Sequence, residues 1–153
     1  MAGYHSFVPT LREIMHTLMP ARVFEYGPGR STQLILEYPY VETLVSVEHN
    51  MDWYLKASSI IDRRFHLILQ PRLDMYAETI NCYDPFDLVF IDGRRRTQCL
   101  DLVSDYLHLG GLCVIHDAER DAYFDHIVRW PHHCWNEDGT VAVMSQIPEP
   151  WRS

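Results

Sequence analysis

No apolar run in this chain approaches the roughly 20 residues that a bilayer-spanning helix needs. The opening MAGYHSFVPT also lacks the basic start and apolar centre of a secretory signal. Both absences lead us to expect a soluble, cytoplasmic protein with no membrane partner. Cysteine is sparse. Cys82, Cys99, Cys113 and Cys134 stand far apart without a C-x-x-C pair, which argues against a disulfide framework and predicts reduced thiols, with Cys113 inside an apolar core run. Positive charge is scarce too: 13 Lys+Arg against 21 Asp+Glu give a net charge of -8, which repels a polyanion and predicts no nucleic-acid partner. There is no internal repeat, low-complexity tract or Pro/Gly-rich linker. With 153 residues, 47% of them apolar, the chain can bury one core, so we expect a single domain over residues 1–153.

What is present is alternation. Apolar residues at Val8, Leu11, Ile14, Met15 and Leu18 mark one helical face ahead of Pro20. A strand is expected over Arg22–Tyr26, a helix over Ser31–Tyr38, a strand over Thr43–Glu48 and a helix over Met51–Ile61 capped by Asn50. Phe65–Leu69 reads as a third strand, Met75–Ile80 as a short helix, and residues 86–92 (FDLVFID) as a strand whose continuous apolar centre suits cover on both faces. Thr97–Leu107 reads as a helix ended by Gly110-Gly111, residues 112–117 (LCVIHD) as the fifth strand, and Ala122–Trp130 as a helix. The tail around Asn136–Gln146 reads as two strands joined at Glu137-Asp138-Gly139. The expected fold class is α/β, a Rossmann-like doubly wound sheet, mainly parallel with an antiparallel C-terminal strand and helices on both faces.

Ligands of such sheets sit beyond the C-terminal strand ends. Four of the five predicted ends carry a carboxylate: Glu25, Glu48, Asp92 and Asp117. The turn Gly27-Pro28-Gly29-Arg30-Ser31-Thr32 follows the first strand but lacks the third glycine of the G-x-G-x-x-G dinucleotide fingerprint, where Thr32 stands instead. That weakens a pyrophosphate site and a nicotinamide-dependent oxidoreductase. An acid at the end of the next strand, Glu48, is placed to accept the hydroxyls of a ribose.

With these pieces together, the chain resembles the class I S-adenosylmethionine-dependent methyltransferases. The matching stretches are VFEYGPGRST, LVSVEHNMDWY, FDLVFIDGRRR and LHLGGLCVIHD, spread over roughly residues 10–125. The combination E-x-G-x-G-R-S-T, V-E-H-N-x-x-W-Y, D-G-R-x-R-x-x-C and Asp117, Arg120, Tyr123 looks like one small branch of them. The resemblance implies S-adenosylmethionine as cofactor. Glu25, Tyr26, Gly27, Gly29, Ser31 and Thr32 would hold its methionine end, with Glu48 on the ribose, His49 beside the adenine and Asp92 near the sulfonium. It implies O- or N-methylation of a small-molecule acceptor. A non-catalytic nucleoside-binding module or subunit is the alternative of another class.

Where the acceptor must lose a proton, Asp92, His116 and Asp117 are the candidate catalytic groups. Arg94 and Arg96, in the only basic run, are candidate substrate-binding residues for an anionic acceptor, a solvated loop being the alternative. No metal is expected. Catechol-type methyltransferases, which this region resembles, carry an asparagine after the second aspartate, and Ala118 stands there. Alternation along a strand would also send His116 and Asp117 to opposite faces unless the strand has already ended. His126, His132, His133 and Cys134 fit no common zinc spacing. Trp53 and Tyr54 are expected in the core. Few residues precede the first strand and no insertion is long enough for a lid, which, with 12% aromatic residues, favours self-association into a homo-oligomer.

Overall fold

The computed structural model describes residues 5–148. Seven strands form one sheet in the order β3-β2-β1-β4-β5-β7-β6. They are β1 (Arg22–Tyr26), β2 (Thr43–Glu48), β3 (Phe65–Leu69), β4 (Phe86–Ile91), β5 (Leu107–His116), β6 (His132–Trp135) and β7 (Val141–Ser145). The pairs among β1 to β5 are parallel, and β7 runs antiparallel to both β5 and β6. The helices are α1 (Val8–Leu18), α2 (Arg30–Leu36), α3 (Met51–Ala57), α4 (Leu73–Tyr76), α5 (Arg96–Leu102) and α6 (Asp121–Val128).

The period-2 alternation of each central strand sorts its side chains between two cores. Leu88 and Phe90 of β4 and Leu112 and Val114 of β5 pack with Leu11, Ile14 and Met15 of α1 and Leu34 and Ile35 of α2. Their neighbours Val89, Ile91, Cys113 and Ile115 pack on the other face with Tyr76, Cys99, Leu100 and Ile127. Burial on both faces explains why β4 and β5 read as unbroken apolar runs. It also makes their C-terminal ends rigid platforms for polar groups.

Several boundaries differ from the sequence expectation. Helix α3 stops at Ala57 rather than Ile61, and Asn50 caps it as expected, its Oδ1 accepting from the backbone N–H groups of Asp52 and Trp53. Helix α5 stops at Leu102 and passes through a 3-10 turn over Val103–Tyr106 straight into β5. Gly110 and Gly111 therefore lie within β5 rather than ending a helix. They form a bulge: the register jumps from Phe86 opposite Leu107 to Leu88 opposite Leu112, and Gly110 takes a φ of +91°. A Cβ on Gly111 would lie 2.9 Å from the His108 carbonyl oxygen, so the bulge needs glycine there. The C-terminal hairpin also starts earlier than expected, because Asn136 belongs to its connecting loop, where its side chain accepts from the Val141 N–H.

Candidate functional site

A cleft of about 580 Å³ opens over the C-terminal ends of β1, β2 and β4, the place where the strand order reverses. Its base is the turn after β1. Gly27 has a φ of +89°, and a Cβ there would meet the Asp92 carbonyl oxygen at 2.8 Å, so the turn presses directly on the end of β4. Gly93 closes the same contact from the other side, because a Cβ on it would collide with the Tyr76 hydroxyl. A Cβ on Gly29 would meet nothing within 4 Å, since its α-carbon faces open space.

Glu25 lies beneath this turn, fully buried. It accepts hydroxyls from Ser31, from Thr32 at 2.5 Å and from Ser46 at 2.6 Å. Thr32 Oγ1 in turn accepts the Gly29 N–H at 2.9 Å. The residue standing in place of the third fingerprint glycine thus ties the turn to the buried acid, and a glycine would lose that tie. Burial pushes the Glu25 carboxyl up to about 7, against the pull of the Ser31, Ser46 and Thr32 hydroxyls. Tyr26 points into the opposite core and donates its hydroxyl to the Ala77 carbonyl at 2.7 Å. Glu25, Tyr26, Ser31 and Thr32 consequently do not line the cleft; of the residues expected to hold the methionine end, only Gly27 and Gly29 do. The short side chains of Ser31 and Thr32 are turned inward by their bonds to Glu25.

Glu48 and His49 stand at the end of β2 and face the cleft. Glu48 is 7% exposed, and its Oε2 accepts the His49 N–H at 3.2 Å. Burial raises the Glu48 carboxyl above its ordinary range, partly offset by that N–H and by the Arg94 charge. The His49 imidazole is lowered by burial and by Arg94, and its Nδ1 is buried with no hydrogen-bond partner. Glu48 Oε2 lies 3.8 Å from this nitrogen, outside hydrogen-bond distance, so a polar ligand group could bond it beside the carboxylate. Trp53 of α3 also lines the cleft and is 52% exposed, which corrects its expected place in the core. Tyr54, beside it, is half-buried. Helix α3 is short and turns Met51, Trp53 and Leu55 outward.

The ends of β4 and β5 carry a network of charges. His116 is buried, with Nδ1 at 3.1 Å from Asp92 Oδ1 and Nε2 at 3.0 Å from Ser6 Oγ. The Phe7 ring stands edge-on to the imidazole with centroids 5.1 Å apart. Burial lowers the imidazole, but the bond to Asp92 and the charges of Asp92 and Asp117 outweigh it, so His116 is raised overall. β5 ends at His116, and Asp117 adopts a left-handed φ of +56°. That turn cancels strand alternation, so the ligand atoms of Asp92, His116 and Asp117 lie within 4.8 Å of one another instead of on opposite faces.

Arg96 is the hub of this network. Its Nε donates to the Gly93 carbonyl at 2.8 Å, and its Nη1 donates to the His116 carbonyl at 2.7 Å and to Asp117 Oδ2 at 3.0 Å. Its Nη2 is 3.4 Å from Asp92 Oδ1. Arg120 donates to Asp117 Oδ2 at 3.1 Å. The predicted site residues Asp92, Arg94 and Arg96 line the cleft, whereas His116 and Asp117 do not and reach it only through their contacts with Asp92 and Arg96. Phe7, Arg30, Gly93, Arg95, Arg120 and Tyr123 line it as well and were not anticipated. Arg30, Gly93, Arg120 and Tyr123 stand in the motifs that carry the family resemblance, and Arg95 in the basic run, but none is given a binding role by them; Phe7 carries no sequence signal and arrives from the start of α1.

No protein-family model matches this chain, and no curated protein matches it in sequence. Solved structures do match its fold. Spermidine synthase from Thermotoga maritima superposes with a TM-score of 0.68 at 17% identity over 92% of this chain, which spans 60% of that protein's length. A candidate caffeoyl-CoA O-methyltransferase from Staphylococcus aureus gives 0.73 at 12% identity over 92% of this chain and 83% of that one. The MycE methyltransferase of the mycinamycin biosynthetic pathway, solved in complex with Mg and SAH, gives 0.70 at 16% identity over 94% of this chain and 50% of its own. The chain has the Rossmann-like α/β fold of class I methyltransferases.

Proposed function

We propose that this protein is an S-adenosylmethionine-dependent methyltransferase acting on a small anionic acceptor by O- or N-methylation. The observation that carries the reading is the β2 end. There a nearly buried carboxylate, Glu48, and a His49 Nδ1 that has no hydrogen-bond partner among the described residues face a cleft floored by glycines at the sheet's switch point. Glu48 suits ribose hydroxyls, and His49 and Trp53 suit an adenine edge and face. Gly27 lets the turn press on the end of β4, and Gly29 leaves its open side for the methionine end. When bound, the cofactor supplies an electrophilic methyl group on a positively charged sulfur.

Of the candidate catalytic groups, Asp92 is the one exposed to the cleft, and it takes the acceptor's proton where the acceptor has one. His116 and Arg96 hold its carboxylate in place, and Asp117 anchors Arg96. Much of the acceleration comes from holding acceptor and methyl donor in line. Arg96 is fully occupied by Gly93, Asp92, His116 and Asp117, so acceptor recognition passes to Arg94 and Arg120 at the rim. Their charge favours a carboxylate or phosphate and opposes a polycationic acceptor. Among the described residues no helix is long and apolar enough to cross a membrane, in keeping with a small-molecule substrate met in solution. The acidic chain as a whole disfavours nucleic acid.

The deciding experiment is a calorimetric titration of the protein with S-adenosylmethionine, S-adenosylhomocysteine and NAD, repeated on Glu48→Ala. Both sulfur nucleosides are expected to bind and NAD is not. Glu48→Ala should lose about 2 kcal/mol, close to thirtyfold, for a charged hydrogen-bond acceptor removed. Absence of nucleoside binding to the wild-type chain would defeat the reading. Binding without turnover of any acceptor would point to the non-catalytic module.

A further inference from the structure

Two carboxylates and an imidazole converging within 4.8 Å form the kind of donor set that holds a hard divalent cation. With bonds of about 2.1 Å an octahedral magnesium or manganese ion sets neighbouring donors about 3 Å apart and opposite ones about 4.2 Å, so these three groups would have to draw together around an ion. In this protein a side chain already fills that role. The Arg96 guanidinium reaches both carboxylates, at 3.0 Å from Asp117 Oδ2 and 3.4 Å from Asp92 Oδ1. Its remaining contacts fix it rigidly, through the Gly93 and His116 carbonyls at 2.8 Å and 2.7 Å, and its side chain is only 11% exposed. The Tyr123 ring lies 5.9 Å from the guanidinium carbon.

We propose that Arg96 is the resident cation of this end of the cleft, standing in for a divalent metal ion between Asp92 and Asp117, and that its removal uncovers a metal site formed by Asp92, His116 and Asp117. The argument is one of charge and space. A dication bridging the two aspartates would have to share their oxygens with a fixed positive group at hydrogen-bond distance, and like charges that close exclude one another. The imidazole reinforces the exclusion. Its Nδ1 is engaged by Asp92 and its Nε2 by Ser6, so it offers a metal no lone pair until those bonds break. Arg120, also on Asp117, adds a second positive charge at the rim. Without Arg96, Asp92 and Asp117 would face each other with less compensation, and a hard dication with oxygen preference is the species that restores balance. The inference concerns metal occupancy alone, so it stands or falls separately from the transferase reading.

The probe is Mn²⁺, followed by electron paramagnetic resonance on the full chain at neutral pH, with histidine resonances monitored by NMR in parallel. The wild-type chain is expected to show no saturable site at this place and no selective broadening of His116. Arg96→Ala and Arg96→Gln are expected to gain a single saturable Mn²⁺ site, tighter than any wild-type binding by at least about tenfold, given the charge of the uncovered ligands. Adding Asp92→Asn to either should abolish it. Arg96→Lys, which returns a cation to the same place, should bind no better than wild type. Saturable Mn²⁺ binding to the wild-type chain with His116 broadened would overturn the proposal, as would an Arg96→Gln protein with native circular dichroism that gains no site. Should the variants need Mn²⁺ to reach the native fold, the proposal is supported. If they stay unfolded at saturating Mn²⁺, it fails.

Discussion

The two halves of the cleft hold their carboxylates by opposite means. Under the β1 turn, Glu25 is fully buried, with no ion-pair partner among the described residues, surrounded by the hydroxyls of Ser31, Thr32 and Ser46. At the ends of β4 and β5, Asp92 and Asp117 are held by Arg96, His116 and Arg120. A buried acid without a counter-charge shifts towards its protonated form, whereas one beside a guanidinium has its charge matched. The buried acid beneath the half proposed to hold the nucleoside is therefore shifted towards its protonated form, whereas the acids at the ends of β4 and β5 have their charge matched by arginine. The difference leaves the acid under the turn without a counter-charge while gathering arginines at the β4 and β5 ends, where the proposed anionic acceptor would approach.

The largest expected effect tests the first half. Glu25 binds a proton more tightly in the folded chain, at about 7, than at the ordinary 4.5 expected once unfolded. Between these values the folded state holds more protons, so its contribution to stability is fully present below 4.5 and is lost as pH rises through 7. The shift corresponds to about 3 kcal/mol. Urea unfolding between pH 4.5 and 8 should show wild-type stability falling by that order relative to Glu25→Gln, which cannot titrate. Parallel profiles for the two proteins would mean that Glu25 is not the uncompensated acid described here.

This contrast also marks how far the sequence was legible. Strands β1, β2 and β3 and helix α1 were readable to the residue, because each follows a clear period between strong breakers. The four strand-end carboxylates were readable too, since topology alone sends them to one edge. What the sequence hid was the direction each side chain takes there. Glu25 and Glu48 are both strand-end acids, yet one turns under the sheet to gather hydroxyls and the other faces the cleft. That outcome depends on Ser31, Thr32 and Ser46, which local pattern does not connect. The convergence of His116 and Asp117 was hidden for another reason. It rests on a left-handed backbone at Asp117, a residue type that tolerates that conformation without requiring it. Trp53 misled because an aromatic on a short helix after a buried strand is normally core, but α3 covers little of the sheet.

A smaller effect is expected at the mouth of the first half. Trp53 is half exposed and its ring is approached by Lys56 Nζ at 4.3 Å. Trp53→Ala should leave unfolding free energy nearly unchanged yet weaken S-adenosylhomocysteine binding by about 1 kcal/mol, the scale of base–aromatic stacking. Because stacking carries no net charge, the loss should be the same at low and high salt. A loss that disappears with added salt would assign the contribution to Lys56 instead and blur the division between a half without an arginine-matched acid and one built on arginine pairs.

The smallest effect belongs to the rim of the second half. Arg120 is 58% exposed and meets Asp117 at 3.1 Å, while the same Asp117 oxygen is also held by the far less exposed Arg96. Solvent screening leaves an exposed pair of this kind worth no more than about 0.5 kcal/mol, and Asp117 keeps its inner partner when the outer one is removed. Arg120→Ala should therefore shift the urea midpoint slightly at low ionic strength and not at all in molar salt. An acceptor's affinity, by contrast, should fall with loss of this charge if the rim recognises an anion. A stability loss well above 0.5 kcal/mol that persists in salt would show that Arg120 helps hold the reacting carboxylates, making the charged half a cooperative network of both arginines rather than one buried cation with a free arm at its edge.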